Sequence, residues 1–523
     1  MIVSALLTSV GINSALCLSF LVLYSILKKQ PAYYGVYIPR LVAEGKTKQR
    51  DDFNLERLIP SPNWVKKAWM LSEEELLSSS GLDAVVFMRI VTFSFKVLLF
   101  AGVIGIFVLL PVNCSGDQLE DVDLVNISNN SLDVFTISNV KDGSHWLWIH
   151  FSAVYLITAY ICCLLYYEYK YISSRRIEYF CSSKPLFHQF TILVRAIPAS
   201  AGGSISDSVE HFFTEYHPST YLSHTVVRRT SKLRGLINDA KTMYGRLGHL
   251  QSNLTQIQPN RGSCFGLFRR KDDLVDRYER RLGDIEQRLR LEQSEVSLAG
   301  KASFFIAYVV TSGWTSSLSE LINLFPLIRS LVTKPFSGNS DDEQEVPSIS
   351  YHSDIPRTLF FVLLGVTYFF LAPLILPFLL VHFSLEYIVY RNQFINVYAP
   401  KYETAGRFWP IAHSCIIFSL VLMHAIAVGI FTLKKLPLAS SLLVPLPILT
   451  LLFNEYCRKR FLPNFSAYSA ETLIKKDRKD ENDPAMAEFL DNLVTAYSDP
   501  ALMPVSFTAN SDSLSRPLMS PED

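Results

Sequence analysis

Charge is what this sequence has least of. Asp, Glu, Lys and Arg make up 19% of its 523 residues, below the roughly 25% of soluble domains. The two signs nearly cancel, leaving a net charge of +1. Without a basic excess, no nucleic-acid partner is expected. Cysteine is sparse too, with eight residues and no C-x-x-C pair. That excludes a disulfide framework and a zinc finger. Cys17, Cys162, Cys163, Cys415 and Cys457 stand in or beside apolar stretches and are expected to be packing thiols. There is no P-loop, no G-x-S-x-G and no paired catalytic motif. No catalytic residue, cofactor or metal site is therefore expected, and the chain is not read as an enzyme. His150, His382, His413 and His424 are lone histidines on apolar segments, expected to pack or hydrogen-bond between helices.

What the sequence does have is long apolar runs. Hydrophobic residues reach 49%, and the charges gather in the middle and the tail. This segregation points to a multi-pass membrane protein with one soluble module. A membrane helix needs about 20 mostly apolar residues. Val3 to Leu27 has no charge, is too long for a signal-peptide core and lacks a basic leader. It is read as a first, uncleaved span. Lys28 and Lys29 follow it, which places that end in the cytosol. Pro31, Pro39, Pro60 and Pro62 interrupt the polar stretch after it. A second span is expected over about Ala84 to Val112. Arg89 and Lys96 lie in its cytosolic half, where snorkelling accounts for both, although Lys96 is deep enough to face a head group or a polar cavity. The polar loop 113–144 then falls outside, with glycosylation sequons at Asn113, Asn126 and Asn129. Two further sequons, at Asn253 and Asn464, fall on the cytosolic side. A third span, Trp146 to about Tyr167, is bounded by aromatic residues and followed by Lys170, Arg175 and Arg176.

Residues 177–300 contain no span. Phe190 to Ile197 and Tyr221 to Arg228 are predicted strands, with a helix over Ser206 to Tyr216 between them. Two charged helices follow, at about 231–255 and 270–297. Leu274, Tyr278, Leu282, Ile285 and Leu289 form one apolar stripe on the second. Between them, Arg261, Arg269, Arg270 and Lys271 beside Phe265, Leu267 and Phe268 either touch a membrane surface or form a solvated face. The membrane pattern resumes with Ala302 to Ser319, which Gly313 interrupts and Glu320 ends. Thr358 to Leu385 is again free of charge. Carried on to Tyr390 it would make about 50 Å of helix. Pro373 and Pro377 sit at its middle, so a tight hairpin of two spans (about 358–373 and 376–392) is expected, with one steeply tilted helix as the alternative. Trp409 to Leu433 and Leu438 to Phe453 form a last pair, closed by Arg458, Lys459 and Arg460. The tail from 505 has a disordered composition. Eight apolar segments result.

Four stretches carry a recognisable pattern: GLDAVVFMRI (Gly81–Ile90), KASFFIAYVVTSGW (Lys301–Trp314), LAPLILPFLLVHFSLEYIVYRNQFINVY (Leu371–Tyr398) and YETAGRFWP (Tyr402–Pro410). Together they resemble the plant OSCA/CSC family of osmosensitive, calcium-permeable, stress-gated cation channels, over most of residues 1–500. The resemblance implies an all-α polytopic membrane protein of anoctamin-like architecture with a partial α/β, RRM-like cytosolic domain. The chain then divides into an N-terminal three-span region (1–176), the cytosolic domain with its helical arm (177–300), a pore-type region of about five spans (301–460) and a cytosolic tail (461–523). The resemblance also implies a plasma-membrane location, membrane lipids and permeant cations including calcium as partners, and a homodimer joined through the cytosolic domain.

Family members have eleven spans. Here EVSLAG (Glu295–Gly300) runs straight into KASFF, where half of the cytosolic sheet and three spans should intervene. Losing three crossings inverts everything after residue 300, which the basic cluster at 458–460 mildly resists. Otherwise Ala302–Phe325 lies re-entrant or interfacial. An open sheet edge would remain at Tyr221–Arg228. Within the pore-type region, Gly313 matches the bend of the family's pore helix and Glu320 an acidic residue on its cytosolic half. Tyr308 and Ser312, four residues apart, could line the same path. Close helix packing at Gly313 and an end-of-helix charge at Glu320 are the structural alternatives. Three functions are expected in turn: a stretch- or osmosensitive cation channel, a phospholipid scramblase, and a non-conducting shortened isoform.

Overall fold

The computed structural model describes residues 3–45, 59–116, 132–182, 190–195, 205–218, 220–225, 301–323, 326–328, 346–466 and 468–496. Helix α1 (Val3–Leu27) is uninterrupted because nothing in it breaks a helix and hydrocarbon leaves no other partner for its backbone. Only a few of its side chains, Leu6, Cys17 and Tyr24 among them, are buried, while Leu7, Ile12, Leu18 and Leu23 stay exposed. That is a face suited to lipid. Short helix α2 (Asn63–Met70) returns beneath it, and Trp64 donates to Ser25 Oγ at 2.9 Å. Helix α3 (Glu73–Ile104) starts about ten residues before the predicted span. Ser72 caps Glu75 N, and the Glu75 carboxylate accepts from Ser72 N, so a polar first turn precedes the apolar run. With a π turn at Gly105–Leu109 and a last turn at Leu110–Cys114, it spans 42 residues.

Helix α4 (Leu147–Ser182) follows, then α5 (Ile205–Tyr216), α6 (Lys301–Tyr308) and α7 (Thr315–Ile322). Helices α8 (Tyr351–Tyr368) and α9 (Ile375–Asn396) form the expected hairpin. The chain turns at 369–374, and Phe361 meets His382 while Thr358 meets Glu386, an antiparallel register. Next are α10 (Trp409–Leu433), α11 (Pro437–Leu443), α12 (Pro445–Phe461), α13 (Ala470–Glu481) and α14 (Met486–Ala496). Among the described residues, five stretches are long and apolar enough to cross a membrane: Leu6–Leu27, Glu73–Cys114, Leu147–Ser182, Trp409–Leu433 and Pro437–Phe461. The other three apolar segments are helical too. One is broken by a π turn, and α8 and α9 carry internal charges.

Two compact units result: 1–182 with 287–470, and 183–286 with 471–523. In the second, α5 matches the predicted helix, but neither predicted strand forms at the described residues. Phe190–Arg195 and Tyr221–Thr225 lie in no ladder, and no strand occurs among the described residues. A strand needs a paired neighbour to be one, and neither segment has one among the described residues. Phe190 instead packs edge-on against Phe489 of α14 at 5.4 Å. The helical arm and its Leu274–Leu289 stripe lie outside the described residues.

In the first unit, a knot of buried polar groups joins sequence segments more than 300 residues apart. Asp83 of α3 accepts from Thr404 N (2.6 Å), Thr404 Oγ1 (2.8 Å) and Gly406 N (2.5 Å). In return, Glu403 Oε1 accepts from Asp83 N at 2.9 Å and Ala405 N at 3.1 Å. Gly81 makes this possible. Its φ of 82° kinks α3, and a Cβ there would stand 1.9 Å from Glu403 Oε2. Arg176 of α4 donates to the carbonyls of Thr404 and Ala405, at 3.0 and 2.5 Å, and to Asn464 O at 3.0 Å. On the other flank, Arg40 donates to Ser80 Oγ, Phe394 O and Tyr398 O.

Arg89 does not snorkel. It pairs with both carboxylate oxygens of Glu73, at 3.1 and 2.9 Å, and with Glu168 at 2.7 Å, and it lies over the Tyr171 ring. The start of α3 has brought an acidic partner within reach. Lys96 stands 3.8 Å from Glu168 and is more exposed. Asn113 is wholly buried. Its amide donates to Phe135 O at 3.0 Å, and its Oδ1 faces His150 Nε2 at 2.9 Å. In this fold that nitrogen is not open to a glycan. Asn126 and Asn129 lie outside the described residues.

Two outcomes are expected. Burial, and then the charge of Asp83, push the Glu403 carboxyl well above its usual range. The fold therefore holds this proton more tightly than the unfolded chain does. The resulting stability is full in acid and lost as pH rises from about 4.3 toward the folded-state value. Thermal unfolding in detergent should show that loss in the wild type and a flatter profile in Glu403→Gln; parallel profiles would contradict it. Glycosidase treatment of the expressed chain should give a gel shift unchanged by Asn113→Gln and removed by Asn126→Gln with Asn129→Gln. A shift lost with Asn113 alone would contradict the buried amide.

Candidate functional site

The helix of the KASFFIAYVVTSGW motif is not regular. Residues Val309–Trp314 form a π turn between α6 and α7. An extra residue in one turn shifts everything after it by roughly 100° around the axis. Tyr308 stands at the start of this turn and Ser312 within it. Tyr308 packs beside Phe360 and Phe361, with centroids 5.9 and 6.1 Å away. Ser312 is half-buried inside the turn. Gly313 is buried, and a Cβ on it would come 3.2 Å from the Phe361 ring and 3.3 Å from His382 Nδ1. Its small size is thus used to let α8 and α9 approach the bulge. Two hydrogen bonds pin the turn: Ser317 Oγ donates to Gly313 O at 3.1 Å, and Trp314 Nε1 donates to Phe378 O at 3.0 Å.

Below the bulge, α7, α8 and α9 share a polar ladder. Arg357 of α8 is its cation. It donates to Ser316 Oγ (2.9 Å), Asp354 (2.5 Å) and the Tyr390 hydroxyl (2.8 Å). Thr358 Oγ1 meets the Glu386 carboxylate at 2.6 Å. Glu320 ends the ladder half-buried. The Tyr398 hydroxyl donates to its carboxylate, and Gln393 Nε2 donates to its carbonyl at 2.5 Å. Three carboxylates, Glu320, Asp354 and Glu386, thus face one guanidinium. Excess negative charge among apolar helices is costly unless cations or protons offset it. An arrangement of this sign attracts cations and repels anions.

Of the predicted residues, Gly313 and Glu320 lie on this ladder's helix, at its bulge and its lower end, and Tyr308 and Ser312 lie at the bulge's upper edge. Asp354, Arg357, Thr358, His382 and Glu386 were not anticipated as site residues. The spacing of His382, Glu386 and Tyr390, every four residues inside an apolar helix, was the available signal.

Such a bundle, with five membrane-length stretches among the described residues and a buried polar ladder, defines a multi-pass membrane protein. Comparisons with known proteins specify it further. Three family models match in succession: "Late exocytosis, associated with Golgi transport" over 5–168, a cytosolic domain of 10TM proteins over 189–313, and "Calcium-dependent channel, 7TM region" over 288–431. The last two descriptions also mention phosphate. Hyperosmolality-gated Ca2+ permeable channel 2.3 of Arabidopsis thaliana is 40% identical, covering 96% of this chain and 98% of the relative. Channels 2.1 and 2.2 of the same plant are 33% and 32% identical, covering 95% of this chain and 92% and 90% of theirs. The chain belongs to this OSCA/CSC family of plant channels. The first alignment runs over 694 positions against 523 residues, so at least 171 positions of that relative face no residue here.

The bulge geometry carries a size test. Gly313→Val should destabilise the detergent-solubilised chain by roughly 1–3 kcal/mol through overpacking against Phe361 and His382, with Gly313→Ala costing less because a methyl needs only a small adjustment. Equal thermal midpoints for wild type and Gly313→Val would remove the packing role.

Proposed function

We propose that this chain has the function of a hyperosmolality- and stretch-gated, calcium-permeable cation channel of the plasma membrane. The observation that carries the reading is Glu320, set at the end of a bulged helix, where its carboxylate and that of Asp354 stand against the single guanidinium of Arg357. The names of the Arabidopsis relatives support the stimulus and the ion. Tension favours whichever conformation occupies more membrane area, so opening needs no ligand. The π turn at Gly313 is the element suited to move, since resolving it to a regular helix would rotate α7 and carry Glu320 with it.

The anoctamin-like arrangement, the divisions 1–176, 177–300, 301–460 and 461–523, the RRM-like character of the second unit, the homodimer through it and a lipid role belong to the same proposal. A second reading has its own support. The 171 or more unmatched positions agree with a missing internal block beside Glu295–Gly300. That block would supply a strand–helix–strand and three spans, including the opposite wall of the path. A chain without it conducts weakly or not at all, and serves as a subunit or a non-conducting isoform.

Patch-clamp recording separates these. In a full-length version, Glu320→Gln should lower unitary cation conductance, and Glu320→Lys should lower it further or favour anions. The driving term is a few kcal/mol at about 4 Å and an effective dielectric of about 20. Unchanged conductance and selectivity in both variants would leave Glu320 an interfacial end-of-helix charge. This shorter chain, recorded beside it, should give weak or absent current; full current would dispose of the non-conducting reading.

A further inference from the structure

We propose that His382 and Glu386 bind one proton between them in the interior of the bundle, with Glu386 as the neutral acid and His382 as the Nδ1–H tautomer. The argument is a count of hydrogens. The hydroxyl hydrogen of Ser317 goes to Gly313 O at 3.1 Å. Its oxygen therefore faces His382 Nδ1, 3.4 Å away, as an acceptor, and the ring hydrogen belongs on Nδ1. Nε2 then presents a lone pair. Across from it, at 3.8 Å, stands Glu386 Oε2. Neither atom has another hydrogen-bond partner, and both residues are only 2% exposed. Two facing acceptors with no hydrogen between them, out of reach of water, carry a desolvation cost that nothing offsets. A proton on Oε2 removes it. The O–H points at Nε2, and a closure of about 1 Å gives an ordinary O–H···N hydrogen bond.

The surroundings decide which partner carries the proton. From α8, Arg357 is a cation near both groups, which disfavours a second cation on the imidazole. Asp354, also near Glu386, is engaged by Arg357 at 2.5 Å and cannot balance an imidazolium as well. From α7, Glu320 is taken by the Tyr398 hydroxyl, and from α9 itself Tyr390 accepts from Arg357. The other oxygen of Glu386 is already engaged: Thr358 Oγ1 stands 2.6 Å from Oε1 and 3.0 Å from Asp354 O, which leaves Oε2 as the oxygen that faces His382. The proton sits within α9, between residues one turn apart, and the ring it orients reaches Ser317 of α7 directly beneath the Gly313 bulge. Its removal would leave a bare carboxylate beside an imidazole lone pair and loosen that contact. The proton site stands on geometry alone and does not depend on the channel reading.

Infrared difference spectroscopy on the purified full chain at neutral pH tests it. The carbonyl absorption of buried protonated carboxylic acids, displaced in heavy water, should lose one component in Glu386→Gln that persists in Glu320→Gln and in Glu403→Gln. A spectrum in which Glu386→Gln removes only a carboxylate band overturns the proposal. Should Glu386→Gln fail to accumulate, nitrogen NMR of labelled histidine in the wild type takes its place, with the His382 signals assigned by their loss in His382→Gln. A neutral ring protonated at Nδ1 and accepting at Nε2 is expected. An imidazolium, or the opposite tautomer, overturns it.

Discussion

A buried carboxylate among membrane helices is costly unless donors converge on it, and Asp83 meets that demand with three. Two backbone N–H groups and a hydroxyl from Thr404 and Gly406 reach it, while its own N–H reaches Glu403. The exchange fixes the kinked start of α3 against the turn that leads into α10. Both ends require unusual backbone: Gly81 at φ 82°, Ala405 at 52° and Gly406 at 77°. Arg176 closes the same turn from α4. The N-terminal helices and the C-terminal bundle are thus held in one frame by polar contacts whose loss would strand buried charge. Apolar packing alone specifies less in a bilayer, where lipid is as good a neighbour as leucine.

Within that frame, α9 is shared. It packs against α3 on one side and against α7 and α8 on the other. Its apolar residues fill the core, and its polar residues fall on the side facing the bulged helix. His382 touches the bulge, Glu386 meets Thr358, and Tyr390 meets Arg357. The π turn at Val309–Trp314 is therefore held by a polar surface, not only by apolar contact. A helix held in this way has discrete alternatives, since moving it exchanges one set of hydrogen bonds for another.

The two units differ in what their segments find to pack against. In the first, α6–α7 packs against α1, α8 and α9. In the second, the two segments expected as strands find no paired neighbour among the described residues. The described parts of 190–197 and 221–228 accordingly form no ladder.

Much of this was legible beforehand. Long apolar runs bounded by Lys, Arg and aromatic residues located α1, α3, α4 and α10, because hydrocarbon imposes length and composition directly. Pro373 and Pro377 marked the turn between α8 and α9. Gly313 and Glu320 could be singled out because a glycine and a carboxylate are conspicuous in an apolar helix. The sequence could not show the partners. Arg89 looked like a snorkelling residue until α3, begun early by its capping box, placed Glu73 beside it, and Asn113 looked like a surface sequon until His150 and Phe135 enclosed it. The π turn was hidden because one extra residue per turn leaves no mark in composition, yet it turns α7 and Glu320 about the axis relative to α6. The ladder of Asp354, Arg357, Thr358 and Glu386 was hidden because Glu386 lies 28 residues beyond Thr358 and meets it only once α8 packs on α9. Composition and periodicity act along the chain, whereas a buried polar group is satisfied across it. The sequence by itself therefore determined which segments enter the membrane, and only the tertiary structure decided which charges meet there.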